Sequence, residues 1–105
     1  MTEAEFNALA DVALARIESA LEASGADLDY AWVGDGIIEI EFADNSKIVV
    51  NRHLAAQELW VAARSGGYHF RWDGAAWRDT RDGTELMSSL AQLVLAQAGE
   101  SVNLA

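Results

Sequence analysis

The chain contains no cysteine and no proline, and only 7 of its 105 residues are lysine or arginine. Without cysteine it cannot form a disulfide, a thiolate metal site or a cysteine nucleophile. Because 17 residues are acidic, the formal net charge is −10, and such a surface repels nucleic acids and anionic membranes. The charge favours cations or a basic protein as partners.

Long apolar runs are also missing, and none approaches the roughly 18 residues that span a membrane. The segment Met1-Thr2-Glu3-Ala4-Glu5 is acidic, whereas a signal peptide would begin with basic residues. Hydrophobic residues nevertheless make up 51% of the chain, with 4 tryptophans, which is enough for a real core. We therefore expect a single domain over residues 1–105, located in the cytoplasm.

Apolar residues recur at helical spacing near both ends of the chain. The first helix is predicted from Thr2 to Ser24, with Thr2 as its N-cap and Gly25 as its stop. The second is predicted to start after Thr84 as N-cap and to end at Gly99. The residues predicted to face the core are Phe6, Leu9, Ala10, Ala13, Leu14, Ile17 and Leu21 in the first helix, and Leu86, Leu90, Leu93, Val94 and Gln97 in the second.

Between these helices the apolar period changes to two, which is typical of strands. Short links between the strands predict an antiparallel meander, and its one apolar face needs a cover. The fold class is therefore α+β, a two-layer α/β sandwich in which both helices pack on one face of about five or six strands. The residues predicted to point inward are Leu28, Tyr30, Trp32, Ile38, Ile40, Phe42, Ile48, Val50, Leu59, Val61, Ala63, Tyr68, Phe70 and Trp72, with Trp77 marking a short last strand.

Carboxylates gather beside the buried stripe of the first helix. At about 100° per residue, Glu18, Asp11 and Glu22 lie roughly 100°, 120° and 140° from Ile17, the middle of the stripe. They form one column where the helix should border the sheet. Two further acids follow just after the helix, so that chain geometry can bring five carboxylates to one rim; the two are Asp27 and Asp29.

Clustered carboxylates suit hard cations such as Fe²⁺, Fe³⁺, Mn²⁺ or Ca²⁺, because their oxygens repel one another until a cation neutralises them. The alternative is a solvated helix face that keeps an acidic protein soluble. The sequence has no EF-hand spacing and no histidine pair four residues apart, so a metal site here would be weak and labile. An exposed rim also lacks the burial that would separate the pKa values of an acid–base pair.

A tryptophan is predicted on the outer face of the sheet. With Leu59 and Val61 pointing inward, Trp60 points outward, where an indole either marks a contact patch or lies on neighbouring strands. His69 alternates outward in the same way and is more typical of a surface residue than of a metal ligand.

The order of helix, acidic rim, meander and closing helix resembles the frataxin family, most closely its bacterial, CyaY-type branch. The resemblance covers nearly the whole chain and is carried by these segments: Glu5-Phe6, Leu9-Ala10-Asp11, Ser46-Lys47-Ile48-Val49-Val50-Asn51-Arg52, Trp60, Ser65-Gly66-Gly67-Tyr68-His69-Phe70, Trp77, Asp82-Gly83 and Gln97-Ala98-Gly99-Glu100.

The resemblance implies a non-enzymatic protein that regulates iron–sulfur cluster assembly. Such a protein would bind Fe²⁺ and Fe³⁺ weakly and would dock on the cysteine desulfurase, near the scaffold protein. We expect a monomer, with iron-driven oligomers as an open question. The implied metal residues are Glu18, Glu22, Asp27 and Asp29, to which the helical geometry adds Asp11; the implied partner residues are Glu18, Glu22, Asn51 and Trp60.

The sequence departs from the family pattern both in the acidic rim and in the contact region around Asn51 and Trp60. Ser19 and Ala23 stand where relatives often have further acids, which makes the rim thinner. In the sheet-surface contact region, His53, Ala55 and Glu58 stand in place of Gln, Pro and Gln.

Two alternative functions stay open: a ferroxidase that oxidises Fe²⁺ with oxygen, and a metal-independent acidic interaction module.

Overall fold

A computed structural model describes residues 1–99. Glu100, the last residue of the segment Gln97-Ala98-Gly99-Glu100 that contributes to the resemblance, lies outside the described residues. Within them, the chain forms α1 (Glu3–Ala23), β1 (Leu28–Trp32), β2 (Ile37–Phe42), β3 (Lys47–His53), β4 (Glu58–Ala63), β5 (Gly66–Trp72), β6 (Trp77–Asp79) and α2 (Leu86–Ala98).

The caps of α1 are those that the sequence predicts. The Thr2 hydroxyl accepts from the Glu5 backbone N–H at 3.1 Å, and the Glu5 carboxylate accepts from the Thr2 N–H at 3.0 Å. This reciprocal capping box satisfies two backbone donors that the first turn would otherwise leave open. At the other end Ser24 is the C-cap, and Gly25 follows with a φ of +67°.

The predicted N-cap of α2 is wrong by one residue. Glu85, not Thr84, caps the helix, since its carboxylate accepts from the backbone N–H groups of Met87 and Ser88 at 2.9 and 3.3 Å. Thr84 belongs to the preceding turn, where its carbonyl accepts from the Asp79 N–H. A carboxylate at this position also favours the positive end of the helix dipole.

The six strands form one sheet in the order β1-β2-β3-β4-β5-β6, and every neighbouring pair is antiparallel. Since consecutive strands are neighbours, the predicted meander and the α+β class are confirmed. β1 and β6 are the edge strands. Within residues 1–99, neither helix is long and apolar enough to cross a membrane.

One hydrophobic core lies between the sheet and the two helices. Trp32 departs from its predicted inward position, since 43% of its surface is exposed. The edge position of β1 explains this, because no further strand covers Trp32 on that side, and its indole N–H bonds to Glu18 of α1. The fully buried large side chains of the core are Phe6, Leu14, Ile17, Ile38, Ile40, Ile48, Val50, Leu59, Val61, Phe70, Leu86 and Leu90.

Candidate metal-binding ridge and contact surface

Two carboxylates of α1 are tied to the edge strand β1. The Trp32 indole N–H donates to Glu18 Oε2 at 2.6 Å, and the Tyr30 hydroxyl donates to Glu22 Oε1. As the helical geometry predicts, this part of the column borders the sheet edge. Each bond uses one carboxylate oxygen; Glu18 is half-buried and Glu22 exposed, and the second oxygen of each carboxylate can still bind a cation.

The pKa of the Tyr30 hydroxyl reflects the carboxylates beside this sheet edge. Its hydrogen bond to the Glu22 carboxylate, together with the nearby charge of Glu18, raises the pKa of the Tyr30 hydroxyl above its ordinary value of 10.0. An ordinary tyrosine is already neutral at physiological pH, so the raised pKa matters in alkaline solution, where it keeps the hydroxyl a donor to Glu22.

Asp27 and Asp29 continue the acidic surface beyond the end of α1, and both are exposed. Asp29 lies on the opposite side of β1 from Tyr30, because successive strand residues alternate between faces. There it is the register partner of Glu41 on β2. We call Glu18, Glu22, Asp27 and Asp29 the acidic ridge; its helix carboxylates and its strand carboxylate flank the two sides of one edge strand.

The fifth predicted metal residue, Asp11, has a different partner. Its carboxylate forms an ion pair with the guanidinium of Arg52, which also donates to Asn7 Oδ1 at 3.3 Å. Arg52 reaches α1 from the end of β3 by passing over Gly36. A Cβ atom at that position would overlap the Arg52 side chain. The structure therefore places Asp11 in a strand-to-helix ion pair, apart from the acidic ridge.

Among residues 1–99, no three His, Asp or Glu side chains stand close enough together to hold one metal ion. The donors of the acidic ridge are carboxylate oxygens, on three exposed side chains and the half-buried Glu18, and such oxygens are the ligands that hard cations prefer. The donor chemistry therefore fits a cation that keeps much of its water and is held by few protein ligands.

On the outer face of the sheet, Trp60 lies between two imidazole rings. Its ring centroid is 3.8 Å from that of His53 and 4.6 Å from that of His69, with interplanar angles of 9° and 10°. We call these three residues the Trp60 stack. The outward positions of Trp60 and His69 were predicted from alternation, whereas the stacking depends on the strand register, which the sequence does not reveal.

A buried carboxylate on the same strand binds the Trp60 indole. Glu58, only 6% exposed, accepts from the Trp60 indole N–H at 2.8 Å and from Arg71 Nε at 2.7 Å. Burial raises the pKa of Glu58, but the two hydrogen bonds and the Arg71 charge outweigh it, and the net pKa lies below 4.5. Asn51, the remaining predicted partner residue, is the register partner of Trp60 on β3.

Comparison with known proteins agrees with this architecture. Residues 1–100 match the family model of the frataxin-like domain. An iron-sulfur cluster assembly protein CyaY from Dechloromonas aromatica is 64% identical over 102 residues, which cover 97% of each chain. Another protein of that name, from Cupriavidus taiwanensis, is 48% identical over 107 residues, covering 98% of this chain and 96% of the relative.

A solved structure, the frataxin from Psychromonas ingrahamii, superposes with a TM-score of 0.92 at 32% identity and covers 100% of this chain and 99% of its own. The chain belongs to the frataxin-like family, and its structure has the fold of the family's CyaY members.

Proposed function

We propose that this protein acts in iron–sulfur cluster assembly as a non-enzymatic, iron-binding regulator in the cytoplasm. The names of the relatives support the assembly role. The observation that carries iron binding is the acidic ridge, where hydrogen bonds from Tyr30 and Trp32 hold Glu22 and Glu18 beside β1 through one oxygen each. Oxygen ligands of this kind suit Fe²⁺ and Fe³⁺, bound weakly enough to exchange.

The same ridge is suited to a basic protein surface. A cysteine desulfurase rich in Arg and Lys at its contact site would be steered towards a chain whose net charge is −10. Iron on the ridge would neutralise part of this attraction, so metal and partner would change each other's affinity. We propose that this coupling is how the protein senses iron, while the Trp60 stack and Asn51 provide a second contact with the desulfurase–scaffold complex.

An anaerobic Fe²⁺ titration followed by NMR of the ¹⁵N-labelled protein tests the metal site. Paramagnetic broadening should include the backbone signals of the acidic ridge and the indole N–H of Trp32, which donates to Glu18. The indole N–H of Trp60, on the outer face of the sheet, is the internal control. If the ridge signals stay sharp in the folded protein, iron binding at the ridge is refuted and the metal-independent interaction module becomes the better account.

A charge-reversed variant tests partner docking. Glu18→Lys combined with Glu22→Lys should abolish binding to the desulfurase and leave the fold intact. The matched control is Glu3→Lys with Asp35→Lys, which changes the net charge equally at two exposed positions outside the acidic ridge. Equal affinity of both double variants for the desulfurase would contradict docking through the ridge. An affinity of the wild type that is the same with and without Fe²⁺ would contradict the coupling between metal and partner.

Ferroxidase activity would need a defined site with several fixed ligands. Among residues 1–99 the ridge brings no three carboxylates close enough to hold one metal ion, which favours exchangeable binding instead. We therefore expect oxygen consumption by Fe²⁺ to be no faster with the protein than without it. A protein-dependent acceleration that Glu18→Gln removes would overturn the non-enzymatic assignment.

A further inference from the structure

The outer face of the sheet carries two rows of side chains that cross β3, β4 and β5. Their members, by register, are Asn51, Trp60 and His69 in one row and His53, Glu58 and Arg71 in the other. The rows meet around the indole of Trp60. How this indole is held therefore decides which of its atoms a partner can reach.

Both faces of the Trp60 indole are covered. The rings of His53 and His69 lie nearly parallel to it, at centroid distances of 3.8 and 4.6 Å. Two rings at these distances must occupy opposite faces of the indole, since both cannot fit on one face. A partner side chain consequently cannot stack on the Trp60 indole and can reach this ring only at its edge.

Glu58 also fixes the rotation of the indole. Its Oε1 accepts the Trp60 N–H at 2.8 Å, while its Oε2 accepts from Arg71 Nε at 2.7 Å. Because the carboxylate is buried, turning the indole N–H outward would leave Glu58 without one of its donors, which is costly. Strand register, two imidazoles and one carboxylate thus hold Trp60 in a single orientation.

At the edge of the stack, His53 and Arg71 each offer a hydrogen-bond donor. His53 Nδ1 accepts from the Ala56 backbone N–H at 3.2 Å, which assigns the proton of the neutral ring to Nε2. Arg71 uses Nε for Glu58, and within residues 1–99 its Nη groups have no acceptor. Since the acid of this patch is buried, a carboxylate of the partner matches the groups that remain.

We propose that Glu58, His53 and His69 are positioning residues that present Trp60 edge-on, and that this surface receives a carboxylate-bearing segment of the partner. The inference rests on the proposed function, because the partner is the desulfurase–scaffold complex. It adds a second contact of opposite charge: the acidic ridge binds a basic surface of the partner, whereas the surface around the Trp60 stack binds an acidic segment.

Two variants of one residue separate positioning from charge. Glu58→Gln keeps an oxygen that can accept the Trp60 N–H, whereas Glu58→Met keeps similar volume and removes the acceptor. In the free, full-length protein, the Trp60 indole N–H signal should shift and exchange faster with water in Glu58→Met and stay near its normal position in Glu58→Gln. Glu39→Met, at an outer-face glutamate paired with Lys47, is the matched control.

Affinity for the purified desulfurase–scaffold complex is then measured for the same variants, with thermal melts to confirm folding. We expect Glu58→Met and His53→Ala each to weaken binding about tenfold, as loss of a well-placed contact does. Glu58→Gln should keep most of the affinity. Arg71→Gln should weaken binding and reduce its salt dependence, because it removes the charge that faces the carboxylate.

The outcomes distinguish this inference from the function on which it rests. If Glu18→Lys with Glu22→Lys weakens binding while Glu58→Met and His53→Ala do not, the proposed function stands and the positioning role is wrong. A loss in Glu58→Gln as large as that in Glu58→Met also overturns positioning. If Arg71→Gln binds normally, the carboxylate partner is wrong, and if the wild type does not bind the complex at all, both proposals fail.

Discussion

The indole N–H of Trp32 donates to Glu18 Oε2 at 2.6 Å, which joins the end of β1 to the C-terminal half of α1. The bond explains why a large aromatic side chain that is 43% exposed keeps a defined place at the sheet edge. It also orients the carboxylate of the acidic ridge that lies nearest the centre of the helix. A hydrogen bond between a charged acceptor and a partly exposed donor has a modest but measurable effect on stability.

A double-mutant cycle measures this bond. Trp32→Phe and Glu18→Ala each remove one partner, and the double variant removes both. We expect a coupling free energy of about 0.5–1.5 kcal/mol from urea unfolding of the four proteins. Strictly additive effects would show that the two side chains do not interact in solution.

The Tyr30 hydroxyl provides a spectroscopic measure of the ridge potential. The chain has 2 tyrosines, so Tyr68→Phe leaves Tyr30 as the only phenol in an ultraviolet titration. Its midpoint should lie above 10.0, because the Glu22 carboxylate raises the pKa by accepting from the hydroxyl. The stabilising contribution of this bond is complete below pH 10 and is lost as the pH rises through the raised pKa.

Glu22→Ala, made in the same Tyr68→Phe background, should move the Tyr30 midpoint back towards 10.0. An unchanged midpoint would show that another group causes the shift.

Gly36 is required by the side chain that crosses it. A Cβ at this position would overlap the guanidinium end of Arg52, and the residue also has a φ of +82°. Gly34 is the matched control, since its φ is +63° but a Cβ there meets nothing within 4 Å. Gly36→Ala should therefore cost about 1–3 kcal/mol more than Gly34→Ala in urea unfolding, because it adds overpacking to the backbone strain that both share.

The Gly36 comparison has a second readout in the Asp11–Arg52 ion pair. NMR signals of Asp11 and Asn7, the two α1 residues that Arg52 contacts, should shift in Gly36→Ala and not in Gly34→Ala. Equal losses of stability with no shift at α1 would mean that Arg52 moves aside freely.

The buried Glu58 gives the protein an acid-sensitive part of its stability. Since its pKa lies below 4.5 in the folded protein, its ionised form stabilises the fold at neutral pH, and this contribution is lost as the pH falls through the folded pKa. Wild type should be more stable than Glu58→Gln at pH 7, and the difference should shrink below pH 4.5. A difference that is the same at pH 7 and pH 3 would contradict the assigned cause.

Most of the fold follows from local pattern, because each element carries its own signal. The capping box at Thr2 and Glu5 is contiguous in sequence, and alternation alone identifies Ile38, Ile40 and Phe42 as inward residues that are then found buried. Even Gln97, a polar residue in the predicted apolar stripe of α2, is buried. It is satisfied there by the Arg64 N–H, the Ser46 hydroxyl and the Lys47 carbonyl.

What the sequence could not show are contacts set by tertiary geometry. The Asp11–Arg52 pair joins residues 41 positions apart, so a helical projection places Asp11 with Glu18 although its charge is paired elsewhere. Likewise, the Trp60 stack needs the register of three strands. The wrong N-cap predicted for α2 has a local cause. Both Thr84 and Glu85 are able to cap a helix, and the hydrogen bonds of the preceding turn decide between them.

The position of β1 at the margin of the sheet has a consequence for self-association. An edge strand presents open backbone groups to which a strand of another molecule can add, and charged side chains are a common protection against this. Here the protection comes from Asp29 on the strand and from Glu18 and Glu22 beside it. A cation that neutralised these carboxylates would weaken the repulsion between two copies at this edge, so we expect metal on the acidic ridge to favour pairing of two copies through β1.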